Sequence, residues 1–192
     1  MGFFKTNTST MAINKVKLVG YQNRNVTTTK PEIVFILGVQ HFIYFHYKNV
    51  KSPTMHLMNH TIQVILPNKY KKIEKSQILK ILVDKLYDKI AMQEIEKIME
   101  KTRLTLGFAP EDYAIEKLPN QKVATCLSTE QKIVIDPTIM KYDKKTIEYI
   151  ILHEFCHLKY KIHTKNFWQM IRDYIPAYEQ HEKNNLKYGI SY

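Results

Sequence analysis

Apolar side chains recur at helical spacing over residues 73–101, with lysines and glutamates between them. The repeat is carried by Ile78, Leu82, Leu86, Ile90 and Ile98. Positions three and four apart lie on one face of a helix, so this pattern predicts an amphipathic helix of about 40 Å at about 1.5 Å per residue. We expect it to be a structural helix that supports the core.

A second helical pattern runs from Lys144 to about Tyr160, and its apolar residues cover most of the circumference. They are Ile147, Ile150, Ile151, Leu152, Phe155 and Leu158. Asp143 stands immediately before the pattern and is a good N-cap residue. A helix that is apolar most of the way round is buried. The sequence therefore predicts a helix inside the core.

Five short runs of β-branched and aromatic residues predict strands. They lie at residues 33–37, 42–47, 62–66, 123–127 and 132–135. The first three predict a small N-terminal antiparallel sheet, and the polar residues 128–131 predict a turn between the last two. The polar residues 1–30 predict a flexible arm or a weak edge strand. The order of elements predicts an α+β fold.

Composition limits the domain organisation. The 192 residues, 44% of them hydrophobic, suit one domain or one compact domain with an appendage. We divide the chain into an N-terminal arm and small β region at residues 1–70 and a main domain at residues 71–192. Its cysteines, Cys126 and Cys156, cannot build a disulfide framework, which favours the cytoplasm. No apolar run approaches the roughly 20 residues of a membrane span, so we expect no membrane association.

The net charge of +11 raises the possibility of a nucleic-acid partner. Arginine is the usual reader of phosphates and base edges, but the chain has only Arg24, Arg103 and Arg172 among 29 basic residues. The lysine excess therefore favours a solvated basic surface over a nucleic-acid site. Nucleic acid remains a possible partner that the function does not require.

Residues 153–157 read His-Glu-Phe-Cys-His, the pattern H-E-x-x-H. Two histidines four apart project from one face of a helix, so His153 and His157 can bind one metal ion. Neutral imidazole suits Zn²⁺. Glu154 is rotated about 100° from His153 around the helix, which directs it to the metal's water and predicts a general base.

His163 extends the pattern to H-E-x-x-H-x₅-H, and catalytic zinc sites use three protein ligands with a water in the fourth position. Metzincins share this spacing but have Gly where this chain has Tyr160. We therefore expect no metzincin, and the helix is expected to end by another route, such as a non-glycine residue at positive φ. The alternative third ligands are Glu179, Glu182 and His181.

The run from His153 to Tyr160, with His163-Thr164 and Phe167-Trp168 after it, resembles the YgjP-like metallopeptidases. These are distantly related to SprT-like proteases and other small zincins. The resemblance covers about residues 75–190 well and the N-terminal sheet weakly. It implies a zincin-like α+β domain with three histidines on zinc and a catalytic glutamate. The matching residues are His153, His157 and His163 as ligands and Glu154 as the catalytic residue.

The chain departs from the family at residues 121–126, where the family's T-R-W-G-S-C segment keeps only Cys126. The role of that segment is open. Cys156 is predicted to be a packed small hydrophobe. Phe167 and Trp168 are predicted to form the floor of the site. The candidates for the residue that stabilises the oxyanion are Tyr160, Tyr174 and Tyr178.

Together these features predict a monomeric zinc metallopeptidase that acts on peptide or protein substrates. The strand at residues 132–135 is expected to pair with an extended substrate. The alternative is a nucleic-acid-associated zinc protein, either a SprT-like DNA-linked protease or a non-catalytic binding module. A regulated or cryptic protein with little turnover is a third possibility.

Overall fold

The computed structural model describes residues 31–187. The predicted arm at residues 1–30 lies outside the described residues, as do residues 188–192. Within the described range, the chain forms two compact units. One contains residues 31–33 and 41–74, and the other contains residues 34–40 and 75–187. The predicted domain division after residue 70 stays a prediction, because compactness does not show independent folding.

Between residues 31 and 187 the strands are β1 (Glu32–Ile36), β2 (Val39–Lys48), β3 (Thr54–Met58), β4 (Thr61–Pro67), β5 (Asp112–Ile115), β6 (Ala124–Leu127) and β7 (Lys132–Ile135). The α-helices are α1 (Lys75–Leu106), α2 (Lys144–His157), α3 (Lys165–Tyr174) and α4 (Tyr178–Lys187). Short 3₁₀ helices lie at Asn68–Lys72, Pro119–Gln121 and Pro137–Lys141. This mixture confirms the predicted α+β class.

In the first unit, β4 lies between β2 and β3. It runs parallel to β2, with Ile62 opposite Ile43, and antiparallel to β3, with Val64 opposite Met55. All four side chains are buried. The sheet is therefore mixed, where the sequence predicted an antiparallel one. The reason is β3, which the sequence did not predict: it adds a reversal between β2 and β4 and so makes them parallel.

The first predicted helix is α1, and it extends five residues past the predicted end. Gly107 ends it with φ +75°, and its N–H donates to the carbonyl of Arg103 at 2.9 Å. A left-handed residue just beyond the last turn is a common helix ending. Across the described residues, no helix combines the length and hydropathy that crossing a membrane needs.

The second unit contains a sheet in which β7 lies between β5 and β6. It pairs parallel with β5 and antiparallel with β6. The predicted strands β6 and β7 and the turn between them are confirmed. The sequence did not predict β5, because Asp-Tyr-Ala-Ile has no run of β-branched residues.

The second predicted helix, α2, packs against α1, β6, α3 and α4. Asp143 caps it, because one carboxylate oxygen accepts the N–H of Thr146 at 3.0 Å and the other accepts its hydroxyl at 2.7 Å. From Thr146 to Cys156 every residue except Glu148 is buried. The buried helix is confirmed, although it ends at His157 and not at Tyr160.

The turn between β1 and β2 docks on the start of α2. The N–H groups of Leu37 and Gly38 donate to the carbonyls of Met140 and Lys141 at 2.8 and 3.3 Å. Gly38 has φ +78°, and a Cβ there would lie 2.7 Å from Cβ of Asp143. Glycine therefore meets two requirements, a left-handed backbone and a close approach to the helix cap.

We predict that Gly38→Ala destabilises the protein more than Gly107→Ala. Both substitutions place Ala at positive φ, which costs about 1–2 kcal/mol. A Cβ on Gly107 would meet no atom within 4 Å, whereas one on Gly38 would meet Asp143. Urea unfolding should show an additional loss of about 1–3 kcal/mol for Gly38→Ala. Equal losses at the two positions would contradict the close packing of this turn.

Candidate metal centre

The last two turns of α2 and the residues after it bring three imidazoles together. The Nε2 atom of His153 lies 3.2 Å from Nε2 of His157 and 3.0 Å from Nε2 of His163. The Nε2 atoms of His157 and His163 are 3.1 Å apart. The three nitrogens form a nearly equilateral triangle. His153 is buried, His157 is half-buried and His163 is exposed, so the triangle opens to solvent on one side.

This triangle fits a metal ion. Two ligands at about 2.0–2.1 Å from a tetrahedral zinc ion lie about 3.4 Å from one another. The observed separations of 3.0–3.2 Å are slightly shorter, so one ion can reach all three nitrogens at once. In a neutral imidazole, Nε2 either donates or accepts a hydrogen bond, but does not do both. Three Nε2 atoms at mutual contact distance therefore cannot all be paired by hydrogen bonds among themselves. A single cation bound at this point would engage all three nitrogens at once.

The protonation of the imidazoles suits metal binding. Nδ1 of His157 donates its hydrogen to the carbonyl of Tyr160 at 2.9 Å, which leaves the lone pair on the Nε2 atom that faces the other histidines. Burial, with the neighbouring His157 and His163, lowers the pKa of His153 to about 2. Burial also lowers the pKa of His157, although the Tyr160 carbonyl opposes this. Neutral imidazole is the metal-binding form.

The segment 158–162 delivers His163 to the triangle. Leu158 keeps right-handed helical angles, and the N–H groups of Lys159 and Tyr160 both donate to the carbonyl of Cys156. No residue of this segment has positive φ, so the prediction of a left-handed residue at the helix end is wrong. The last turn of α2 tightens instead, with Leu158 and Lys159 donating to carbonyls three residues back, so the helix ends without a left-handed residue.

Phe167 forms the floor of the centre. Its ring centroid is 4.9, 4.7 and 4.6 Å from those of His153, His157 and His163. Thr164 begins α3 by accepting the N–H of Phe167 on its hydroxyl at 3.3 Å, which ties this floor to the residue after His163. The prediction that Phe167 and Trp168 lie in the core as the floor of the site is confirmed for Phe167, whose side chain is fully buried. Trp168 is half-buried, with its ring centroid 5.2 Å from that of His163.

Glu154 follows His153 on α2 and is buried, with 1% of its surface exposed. Its Oε1 atom has no hydrogen-bond partner among the described residues. Burial raises its pKa to about 8, and a backbone hydrogen bond from Cys126 on β6 and the charge of Lys122 act in the opposite direction. A buried carboxylate with an unused oxygen is costly unless it meets a proton or a cation. This arrangement suits proton transfer.

The alternative ligands lie elsewhere. Glu179 is exposed and pairs with Arg172 at 3.5 Å. His181 stacks on the ring of Tyr149, with centroids 5.1 Å apart. Glu182 lies on the other side of His153, where its Oε1 is 4.0 Å from Nδ1. The geometry thus favours His163 as the third ligand over these three residues.

The oxyanion candidates differ in their positions. Tyr178 is buried, stacks on Trp168 and accepts a hydrogen bond from Arg172 at 3.3 Å. Tyr160 is half-buried and contributes its carbonyl to His157. Tyr174 is exposed at the end of α3. Their role in catalysis stays a prediction.

Both cysteines are free thiols. Cys156 is fully buried, as expected of a packed small hydrophobe. Cys126 is half-buried on β6, and burial together with the charge of Glu154 raises its pKa to about 12. Burial also raises the pKa of Cys156 to about 12. Neither thiol therefore has the lowered pKa of a reactive cysteine.

Comparisons with known proteins complete the description. The sequence pattern of the family described as YgjP-like, metallopeptidase domain, matches residues 11–188. No curated protein matches the chain. The solved structures similar to it include two metallopeptidase zymogens. One is the metallopeptidase zymogen of Pyrococcus abyssi abylysin, with 20% identity and a TM-score of 0.45, over 50% of this chain and 97% of that one. The other is the metallopeptidase zymogen of Methanocaldococcus jannaschii jannalysin, with 22% identity and a TM-score of 0.43, over 48% of this chain and 88% of that one.

The ligand assignment predicts that His163→Ala weakens zinc binding by at least about tenfold, because it removes one of three nitrogens. Competition with a chromophoric chelator measures this affinity. Glu179→Ala is the matched control, since Glu179 is exposed and pairs with Arg172. Unchanged affinity in His163→Ala with lost affinity in Glu179→Ala would show that the third ligand is the carboxylate on α4.

Proposed function

Because the chain belongs to the YgjP-like metallopeptidase family, we propose that it is a zinc-dependent peptidase with Glu154 as its general base. The observation that carries this proposal is the convergence of three Nε2 atoms 3.0–3.2 Å apart, with the buried carboxylate of Glu154 on the residue next to His153. These are His153, His157 and His163, the three ligands of the proposed zinc ion. Bound there, zinc would supply Lewis-acid polarisation of a substrate carbonyl and activation of a water molecule.

The chain's own residues supply the proton transfer. Glu154 is held by the buried helix α2, so its carboxylate has little freedom to move away from the site. Its Oε1 atom has no other hydrogen-bond partner among the described residues and is available to accept a proton from water. The same oxygen can then deliver that proton to the leaving amine of the cleaved peptide. Phe167 excludes water from beneath the imidazoles.

The prediction of which strand pairs with substrate is wrong. The prediction placed substrate on residues 132–135, but this strand is β7 and both of its edges are occupied, by β5 and β6. We propose that an extended peptide adds to β6, which lies at the edge of the sheet. Two observations support β6: it packs against α2, and its Cys126 backbone hydrogen-bonds to Glu154.

We further propose that the protein acts as a monomer on peptide or protein substrates in the cytoplasm. The free thiols of Cys126 and Cys156 support a reducing compartment. The metal triangle is complete within one chain, so the proposed chemistry needs no residue from a second copy.

The experiment that tests this function is the substitution Glu154→Gln. It keeps the size of the side chain but removes the base, so hydrolysis should fall by about 10²-fold or more while zinc content stays near one ion per chain. Cleavage of fluorescent casein and metal analysis of the same sample give the two measurements. Glu148→Gln is the control, because Glu148 lies on the same helix and pairs with Lys101 at 2.8 Å.

Two results would contradict this proposal. A Glu154→Gln protein that still cleaves casein at the wild-type rate would show that another group is the base. A variant that loses its zinc would show that Glu154 is a ligand. The control variant should keep both zinc and activity, which separates the role of the carboxylate from damage to α2.

A second candidate function is binding of nucleic acid, and it rests on the charge of the segment between Glu32 and Glu74. Residues 33–73 contain five lysines and no aspartate or glutamate. The lysines are Lys48, Lys51, Lys69, Lys71 and Lys72. Such a segment is complementary to a phosphate backbone. A nucleic-acid-linked protease would combine this surface with the metal centre.

Salt dependence separates this second candidate from a basic but inert surface. A labelled single-stranded DNA should bind with an affinity that falls steeply with salt, since each phosphate contact contributes a slope of about −0.7 in a log–log plot. Replacing Lys69, Lys71 and Lys72 by Gln should reduce this slope by about 2. The control replaces three exposed lysines of the second unit, Lys89, Lys161 and Lys165, by Gln and so removes the same charge. Equal losses in both variants would indicate attraction by net charge alone.

A further inference from the structure

A carboxylate and a phenol lie behind His153, on the side away from the metal triangle. The hydroxyl of Tyr149 on α2 donates a hydrogen bond to Oε1 of Glu182 on α4. The same oxygen is 4.0 Å from Nδ1 of His153. Tyr149 is fully buried, and the Glu182 side chain is 26% exposed. Neither residue is part of the triangle.

The orientation of His153 determines what Glu182 meets. Nε2 of His153 faces His157 and His163, so Nδ1 is the nitrogen directed to Glu182. A neutral imidazole that binds a metal through Nε2 carries its hydrogen on Nδ1. A distance of 4.0 Å is too long for a direct hydrogen bond, but one water or a small movement of the glutamate side chain closes it.

The other helix histidine has an oxygen acceptor within direct hydrogen-bond distance of Nδ1. Nδ1 of His157 donates to the carbonyl of Tyr160 at 2.9 Å. The protein thus offers an oxygen acceptor to Nδ1 of both histidines on α2. For His157 the acceptor is a backbone atom. For His153 it is a side chain 29 residues further along the chain, which a substitution can remove.

We propose that Glu182 is a positioning residue that fixes the orientation and tautomer of His153 for zinc binding, and that Tyr149 holds Glu182 in place. Acceptors behind metal-binding histidines commonly raise metal affinity in this way. Helix α4 therefore contributes to the metal centre without providing a ligand. This inference rests on the zinc centre proposed above, and it gives Glu182 a different role from that of a direct ligand.

Helix α4 supports Tyr149 through a second contact. The ring of His181 stacks on the Tyr149 ring, with an interplanar angle of 11° and centroids 5.1 Å apart. Adjacent residues of α4 therefore hold the phenol by its face and by its hydroxyl. Since Tyr149 and His153 lie one turn apart on α2, the position of α4 is linked to that of the metal-facing imidazole.

The test compares zinc affinity in a series of variants, measured by chelator competition. Glu182→Ala removes the acceptor and should weaken zinc binding by about 10–100-fold. Glu182→Gln keeps an uncharged acceptor and should restore part of that loss. Tyr149→Phe should weaken binding by less than Glu182→Ala, and the double variant should be no weaker than Glu182→Ala alone. Glu179→Gln, on the same helix, should match the wild type.

A second measurement excludes a purely structural effect. Glu182→Ala and Tyr149→Phe both lose the same hydrogen bond, so the thermal unfolding midpoints of the two zinc-free variants should fall by similar amounts. Zinc affinity should fall further in Glu182→Ala, because only that variant removes the acceptor from His153. Unchanged zinc affinity in Glu182→Ala would overturn the inference, and so would equal losses of affinity in the two variants that follow their zinc-free midpoints. Complete loss of zinc in Glu182→Ala, with none in His163→Ala, would make Glu182 a ligand. If the wild-type protein does not bind added zinc, the proposed metal centre itself is wrong.

Discussion

The burial of polar groups in an apolar helix is the constraint on which the rest of this structure depends. His153 and Glu154 are each 1% exposed, on a helix whose other buried residues are almost all hydrophobic. Such groups are costly to bury without partners. The surrounding elements meet part of this requirement: His163 follows through a tightened last turn, β6 directs a backbone hydrogen bond to Glu154, and α4 places Glu182 4.0 Å from His153. Oε1 of Glu154 keeps no hydrogen-bond partner among the described residues.

The features that the sequence predicted well are local ones. The four-residue spacing of His153 and His157 predicts a shared face, and Asp143 predicts the helix start, because both depend only on helix geometry. The route from Leu158 to His163 was predicted wrongly, since a missing glycine does not reveal that a helix can end by tightening. The contact of Tyr149 with Glu182 spans 33 residues, and no periodicity in the sequence indicates it.

Strand order was the other feature that local patterns could not give. The apolar run at residues 132–135 predicts a strand, but only pairing shows that β7 is central and that β6 lies at the edge. The proposed site of substrate addition therefore moves from β7, which precedes α2 in the chain, to β6, which lies at the sheet edge and packs against α2. Likewise β3, with its Met and His residues, gave no strand signal, and its presence converts the predicted antiparallel sheet into a mixed one.

X-ray absorption at the zinc edge of the loaded protein tests the central claim most directly. Three histidine nitrogens and one further light atom, all at about 2.0–2.1 Å, are the predicted coordination. They correspond to His153, His157, His163 and a water. A spectrum with two histidines and a carboxylate would contradict this centre and place an acidic residue on the metal. A sulfur ligand at about 2.3 Å would contradict it as well, by bringing a cysteine to the metal.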